Sequence, residues 1–129
     1  MTLLCLGIAL LVVSGLLINT SRAEKGTSER LRHVVLFKFK ADATPSQIDH
    51  LVKEFQKLPS RIPEIKEFEW GTDSSPEGKN KGFTHCFLVT FADEAGRDAY
   101  LPHPAHKEFV AQLRPLLEDV TVVDYWAKK

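Results

Sequence analysis

The chain has 129 residues, of which 43% are hydrophobic and 26% charged, and its 17 basic residues equal its 17 acidic ones. This composition suits a single folded domain with a hydrophobic core and excludes an intrinsically disordered chain. Since the formal net charge is zero and no run of Lys or Arg exceeds two, we expect no nucleic-acid partner.

The chain begins with an uncharged segment. Residues 3–18 are almost wholly apolar, and the first charged side chain is that of Arg22. Ser21-Arg22-Ala23 places small residues at the two positions that signal peptidase reads, so we predict a signal peptide over residues 1–23 and an exported, periplasmic or secreted protein. A membrane anchor over the same residues is the alternative, because the apolar run is intermediate in length between a signal core and a short span. Membrane contact is expected only through this segment, if it stays uncleaved.

The folded domain is predicted over residues 31–129, after a polar spacer at residues 24–30. Residues 31–39 are rich in β-branched and aromatic side chains and predict the first strand. The sequence Thr44-Pro45-Ser46-Gln47 predicts a helix start, because it combines an N-cap, a proline at the first helical position and a capping-box glutamine. Apolar residues then recur at steps of three and four up to Leu58, where this helix is expected to end.

The remaining pattern predicts three strands and two helices. Their expected ranges are 65–71 for the second strand, 83–91 for the third, 93–101 for a short helix, 104 onward for the second main helix and 120–126 for the last strand. The order strand, helix, strand, strand, helix, strand is that of an α+β, ferredoxin-like βαββαβ fold. We therefore expect an antiparallel sheet with its helices on one face.

The opposite face of that sheet is predicted to be apolar. It would carry alternate residues of the first, third and last strands, namely Val34, Leu36, Cys86, Leu88, Val123 and Tyr125. Such a patch is too apolar to stay exposed on a monomer. We therefore expect two copies of the chain to pack sheet against sheet across a two-fold axis, as a homodimeric α/β barrel.

A proline-rich corner at the start of the second main helix gathers three polar side chains. Tyr100, His103 and His106 stand around Pro102 and Pro104, which lack backbone donors and stiffen the chain. Polar and titratable side chains held on a rigid turn are typical of a small functional site.

The predicted topology brings further polar residues to this corner. The first and last strands are antiparallel neighbours, so His33 and Asp124 should meet at the same end of the sheet, whereas His85 should lie at the far end in a structural role. We predict that Asp124 orients His106 as a general base and that Tyr100 donates a hydrogen bond to an oxygen that gains negative charge. This set suits proton abstraction next to a carbonyl group.

Two alternatives to catalysis use the same residues. The pair of His106 and Asp124 can serve only to fasten the helix to the strand, and His33, His103, His106 and Asp124 together offer the ligands of a metal site. Because no cysteine or second carboxylate accompanies them, we predict neither a metal nor a cofactor.

Five motifs occur in order along the domain: RHVVLFKFK at residues 32–40, WG at 70–71, FTH at 83–85, YLPHPAH at 100–106 and VDY at 123–125. Together they resemble the stress-responsive dimeric α/β-barrel (Dabb) family over the whole domain. In a plant polyketide cyclase of this family, a tyrosine and a histidine of the corner motif drive the aldol cyclisation of a polyketide thioester. The resemblance implies that those roles fall on Tyr100 and His106, with Asp124 as the carboxylate that orients the histidine and His33 as a pocket histidine.

The sequence departs from that cyclase at two positions. Phe55 stands in place of a pocket tyrosine and Val110 in place of a glycine, so we expect a narrower cavity. The predicted function is binding of a small, mostly apolar or phenolic molecule, with acid–base chemistry of the polyketide-cyclase type; a non-catalytic structural or ligand-binding dimer is the alternative. The predicted catalytic residues are Tyr100, His106 and Asp124. The predicted ligand-binding residues are His33, Phe37, Phe55, Phe87, His103 and Phe109, and the four phenylalanines either line a cavity or fill it.

Overall fold

The computed structural model describes residues 30–128. The predicted signal peptide, the alternative anchor and nearly all of the spacer lie outside these residues. In chain order, the elements are β1 (Leu31–Phe39), α1 (Pro45–Arg61), β2 (Ile65–Thr72), β3 (His85–Phe91), α2 (Glu94–Tyr100), α3 (Pro104–Leu113), a 3-10 turn (Arg114–Leu116) and β4 (Leu117–Trp126). No helix within residues 30–128 is both long and apolar enough to cross a membrane.

The four strands form one antiparallel sheet in the order β2-β3-β1-β4. The first strand is therefore central, and the last strand lies beside it at the edge, as predicted. In this pairing His33 stands opposite Asp124, and Val35 stands opposite Val122. Buried residues of α1 and α3 join those of β1 and β3 in one hydrophobic core. The predicted ferredoxin-like fold is confirmed.

The first helix begins as predicted and ends later. The Oγ1 atom of Thr44 accepts a hydrogen bond from the backbone N–H of Gln47 at 3.2 Å, and Oε1 of Gln47 accepts one from the backbone N–H of Thr44 at 2.9 Å. The helix continues past Leu58, its expected end, with Pro59 inside it. Pro59 has no backbone N–H to donate to the ladder, but the backbone N–H of Ile62 still donates to the carbonyl of Leu58 at 2.8 Å.

The last strand starts earlier than predicted, at Leu117 rather than at residue 120. It pairs with the full length of β1, so that Phe39 lies opposite Leu117 and Lys38 lies opposite Asp119, with a shift of register between the two pairs. The start of β4 is therefore set by its pairing with β1 rather than by the pattern of apolar residues in its own sequence. The other predicted strands agree with the structure to within two residues.

Four phenylalanines form the centre of the core. The ring of Phe55 lies 4.6 Å from that of Phe87 and 4.5 Å from that of Phe109, and the rings of Phe37 and Phe87 are 5.0 Å apart, measured between centroids. All four side chains are buried. Because aromatic rings are large and rigid, these contacts set the separation of the sheet from α1 and α3.

The other face of the sheet carries the apolar side chains that the sequence predicted there. Val34 lies opposite Leu88 on one side and Val123 on the other. Val34 and Leu88 are half-buried, whereas Val123 is 53% and Tyr125 is 45% exposed. Since the core holds the helices against the opposite face, this face has no helix over it in the described part of the chain.

The N-cap of α1 gives a test of this local structure. Replacing Thr44 with alanine should lower the free energy of unfolding by about 1 kcal/mol, because one helix donor loses its partner. Urea denaturation of Thr44→Ala beside Ser46→Ala, an exposed position in the first turn of the same helix, measures the effect. Equal stabilities of the two variants would show that the capping box contributes nothing.

Candidate functional site

The proline-rich corner joins α2 to α3. The second helix ends at Tyr100, and Pro104 is the first residue of the third. His103 is the N-cap of α3, and its Nδ1 atom accepts a hydrogen bond from the backbone N–H of Ala105 at 3.1 Å. This capping bond gives His103 a structural role, and its predicted contact with a ligand remains a prediction.

A cavity of about 590 Å³ lies between the sheet and the helices, beside the corner. Its volume is within the range of small-molecule sites in proteins. The phenylalanines of the core therefore leave a cavity open. Its walls are formed by His33, Val35, Phe37, Phe55, Arg97, Asp98, Tyr100, Leu101, His106, Phe109, Val110, Leu113, Arg114, Leu117, Val120, Val122 and Asp124.

The cavity brings together seven of the nine predicted site residues. They are the three predicted catalytic residues, Tyr100, His106 and Asp124, and four predicted ligand-binding residues, His33, Phe37, Phe55 and Phe109. Besides His103, the exception is Phe87, which lies on β3 beneath the ring of Phe55 and is buried in the core. Strand parity placed Phe87 on the correct face, but the ring of Phe55 separates it from the cavity.

The structure gives Asp124 different partners from the predicted one. Its Oδ1 atom lies 2.6 Å from Nδ1 of His33, and its Oδ2 atom accepts a hydrogen bond from Nη1 of Arg97 at 3.1 Å. His106 instead places its Nδ1 atom 2.9 Å from the carbonyl oxygen of Leu101. The register of the strands sets His33 directly opposite Asp124. The position of His106 is instead set by the turn between α2 and α3.

The contact with Leu101 fixes the tautomer of His106. A carbonyl oxygen only accepts hydrogen bonds, so Nδ1 must carry the proton and Nε2 keeps its lone pair. Burial lowers the pKa of His106 below its usual 6.5, and the charges of His33 and His103 act in the same direction, against the effect of the Leu101 carbonyl. His106 is therefore a neutral imidazole at pH 7, with Nε2 as its acceptor.

Tyr100 is the most buried polar side chain of the cavity, with 1% of its surface exposed. Burial raises the pKa of its phenol far above the usual 10, so the hydroxyl keeps its proton throughout the physiological range. The Tyr100 ring lies 4.2 Å from the His106 ring and 5.9 Å from the His33 ring, between centroids. The Tyr100 ring is thus close to both imidazoles of the cavity.

Sequence reasoning missed Arg97. Its Nε and Nη2 atoms both donate to Oδ1 of Asp98 at 3.0 Å, while Nη1 reaches Asp124. Arg97 precedes Tyr100 by three residues on α2, and this spacing places both side chains on one helix face. This spacing from Tyr100 was the only indication in the sequence that Arg97 belongs to the site. The same spacing also fits an ordinary solvated arginine.

His85 lies at the end of the sheet opposite to Asp124, as predicted, since it pairs with Phe37 near the end of β1. Its ring is stacked on that of Trp70 with an angle of 3° between the planes, and it meets Phe39 edge-on at 5.1 Å. Burial lowers the pKa of His85. These packing contacts support the predicted structural role.

The four residues considered for a metal site are used in other ways. His103 caps a helix, and His33 is bonded to Asp124. Within residues 30–128, no three or more His, Cys, Asp or Glu side chains are grouped so that they could hold a metal ion.

Residues 31–127 match the family model of the Stress responsive A/B Barrel Domain. The stress-response A/B barrel domain-containing protein HS1 of Arabidopsis thaliana is 38% identical over 95 residues, which are 74% of this chain and 87% of that protein. Olivetolic acid cyclase of Cannabis sativa is 32% identical over 99 residues, which are 77% of this chain and 98% of the cyclase.

Solved structures give the same result. The hydroxynitrile lyase of Passiflora edulis is 32% identical with a TM-score of 0.74, over 79% of this chain and 96% of the lyase. A dimeric ferredoxin-like protein of unknown function from Thermobifida fusca is 29% identical with a TM-score of 0.68, over 78% of this chain and 92% of that one. On both its sequence and its fold, the chain belongs to the stress-responsive A/B barrel (Dabb) family.

Proposed function

We propose that the cavity binds a small, mostly apolar molecule and that His106 and Tyr100 perform acid–base chemistry on it. The observation that carries this proposal is the state of His106: a neutral imidazole whose Nδ1 is held by the Leu101 carbonyl, so that Nε2 is left to take a proton. Tyr100, a buried phenol that stays protonated, lies beside it. A base and a hydrogen-bond donor on one cavity wall suit proton abstraction next to a carbonyl.

The proposed reaction is an aldol-type ring closure. Nε2 of His106 takes a proton from the carbon next to a carbonyl group, the electron pair of that C–H bond forms a C=C bond, and the π pair of the carbonyl group moves to its oxygen. Tyr100 donates a hydrogen bond to the oxygen as it becomes negative. The resulting enolate carbon forms a bond to a second carbonyl carbon of the same molecule, and the new alkoxide takes back the proton from His106.

The names of the relatives support this class of chemistry. Olivetolic acid cyclase and hydroxynitrile lyase are both enzymes that act on small organic molecules, and this chain covers nearly the whole of each. Phe55 and Val110, the two departures from the cyclase, both line the cavity. They support a substrate whose shape differs from that of the cyclase.

His33 offers a further polar contact to a ligand. Because Nδ1 of His33 is engaged with the carboxylate of Asp124, Nε2 is the ring nitrogen that remains for a ligand. A ligand hydroxyl would satisfy it, which favours a phenolic group on the bound molecule. Asp124 is thus a positioning residue for His33 in this proposal, and the catalytic pair is His106 and Tyr100.

A non-catalytic ligand-binding dimer is the second candidate. It is favoured by the partners of Asp124, since this carboxylate is used by His33 and Arg97 and joins β1, α2 and β4. In that case the polar residues hold the fold and the cavity binds without chemistry.

Proton exchange separates the two candidates. With an aliphatic methyl ketone as probe, the protein in deuterium oxide should accelerate exchange at the carbon next to the carbonyl, followed by NMR. His106→Gln should lower the rate by about a hundredfold or more, and Tyr100→Phe by about a hundredfold. Because the base must be unprotonated, the rate should be constant at neutral pH and fall below pH 6.5, towards the lowered pKa of His106.

His50→Gln is the matched control, because His50 is an exposed histidine on α1. Melting temperatures close to that of the wild type should accompany the loss of rate in Tyr100→Phe, which removes only a hydroxyl. Exchange that is unchanged in both cavity variants would contradict catalysis and leave the binding dimer.

We further propose that two copies of the chain form a dimer through the uncovered face of the sheet. The support is the apolar patch around Val34, Leu88 and Val123, together with the dimeric state of the Thermobifida fusca protein. Burial of such a patch is favourable in proportion to its apolar area. Two sheets packed in this way would form the barrel.

A charge in the middle of this face should break the dimer. Leu88→Glu is expected to elute as a monomer or an aggregate on a sizing column with light scattering, because the dimer would bury an unpaired carboxylate. Gln56→Glu adds the same charge at an exposed position of α1 and should remain dimeric. A monomeric wild type at micromolar concentration would contradict the proposal.

Export is the third proposal, and it rests on the apolar run and the Ser21-Arg22-Ala23 site alone. We expect the mature protein to begin at Glu24. N-terminal sequencing or intact-mass measurement of protein from the extracytoplasmic fraction tests this. A chain that still begins at Met1 and stays with the membrane would instead show an anchor.

A further inference from the structure

Two side chains of different chemistry line the cavity at opposite ends of α3. His106 lies in the first turn of α3, and Arg114 follows the last residue of this helix with helical backbone angles. Both side chains line the cavity. Eight residues at 1.5 Å each separate them by about 12 Å along the helix axis.

The residues of β4 that line the cavity also change from polar to apolar along the strand. Asp124 lies at the end of the cavity near His106, and Val122, Val120 and Leu117 follow along β4 towards Arg114. Successive residues of one face are about 6.6 Å apart. The middle of the cavity is therefore apolar, with an acid–base group at one end and a guanidinium at the other.

Arg114 differs from Arg97, the other arginine of the cavity, in its partners. Arg97 is held by the carboxylates of Asp98 and Asp124. The two carboxylates that follow Arg114 in the chain are both engaged: that of Glu118 pairs with Lys38 at 2.9 Å, and that of Asp119 accepts from the backbone N–H of Val120 at 2.8 Å. Among residues 30–128, no carboxylate lies within ion-pair distance of Arg114.

We propose that Arg114 binds the anionic end of an elongated amphipathic ligand. The ligand would be a carboxylic acid with an aliphatic or aryl-alkyl body, whose carboxylate meets Arg114 and whose other end reaches Tyr100 and His106. A planar guanidinium binds a carboxylate through two parallel hydrogen bonds, and the apolar walls take up the body. This inference rests on the proposed binding function of the cavity and adds the class of its ligand.

Matched acids and alcohols test the inference. The probes are saturated fatty acids from hexanoate to tetradecanoate and the alcohols of the same chain lengths, with affinity measured by calorimetry. We expect the acid to bind more tightly than its alcohol, with an optimum at an intermediate length. Arg114→Gln should weaken binding of the acid on the order of tenfold to a hundredfold and leave the alcohol unchanged.

Arg61→Gln is the control, because Arg61 is an arginine outside the cavity that pairs with Glu108. Arg114→Lys keeps the charge and should restore part of the affinity for the acid. If acid and alcohol bind equally well to the wild type and to Arg114→Gln, the role of Arg114 is overturned while the proposed binding function stands. If neither probe binds at any length, the binding function of the cavity and the role of Arg114 are both overturned.

Discussion

The bond between His33 and Asp124 is the contact on which the site depends. At 2.6 Å it joins the central strand to the edge strand, and through Arg97 it also ties α2 to the sheet. His33 is buried, and a buried ring nitrogen without a partner costs about 1–3 kcal/mol. The antiparallel register that sets these two residues face to face therefore fixes the polar end of the cavity together with the fold.

The two imidazoles of the cavity are held by independent supports. His33 is fixed by a carboxylate across the sheet, whereas His106 is fixed by a backbone carbonyl within its own corner. Both have Nε2 left for a ligand, and the ring of Tyr100 lies 5.9 Å from that of His33 and 4.2 Å from that of His106, between centroids. A phenol hydroxyl donor close to two imidazoles suits a ligand that carries both a hydroxyl and a carbonyl group.

The sequence predicted those features that depend on local chemistry or on strand pairing. The capping box at Thr44, the helix start at Pro104 and the approach of His33 to Asp124 all follow from such rules. It paired Asp124 with the wrong imidazole, that of His106, because the choice between two nearby rings depends on side-chain length and on a few ångströms within one cluster. Arg97 was missed because an arginine on a short helix is usually solvated.

The shape of the cavity follows from the short third helix. α3 has ten residues and gives way to a 3-10 turn, so it leaves the cavity side of the edge strand uncovered. Val120 and Val122 line the cavity and are 44% and 51% exposed. The cavity is therefore open along β4. A molecule that enters there meets the exposed Arg114 and the valines first and the buried Tyr100 last, so in the proposed reaction the end with the reacting carbonyl enters first and the carboxylate bound by Arg114 enters last.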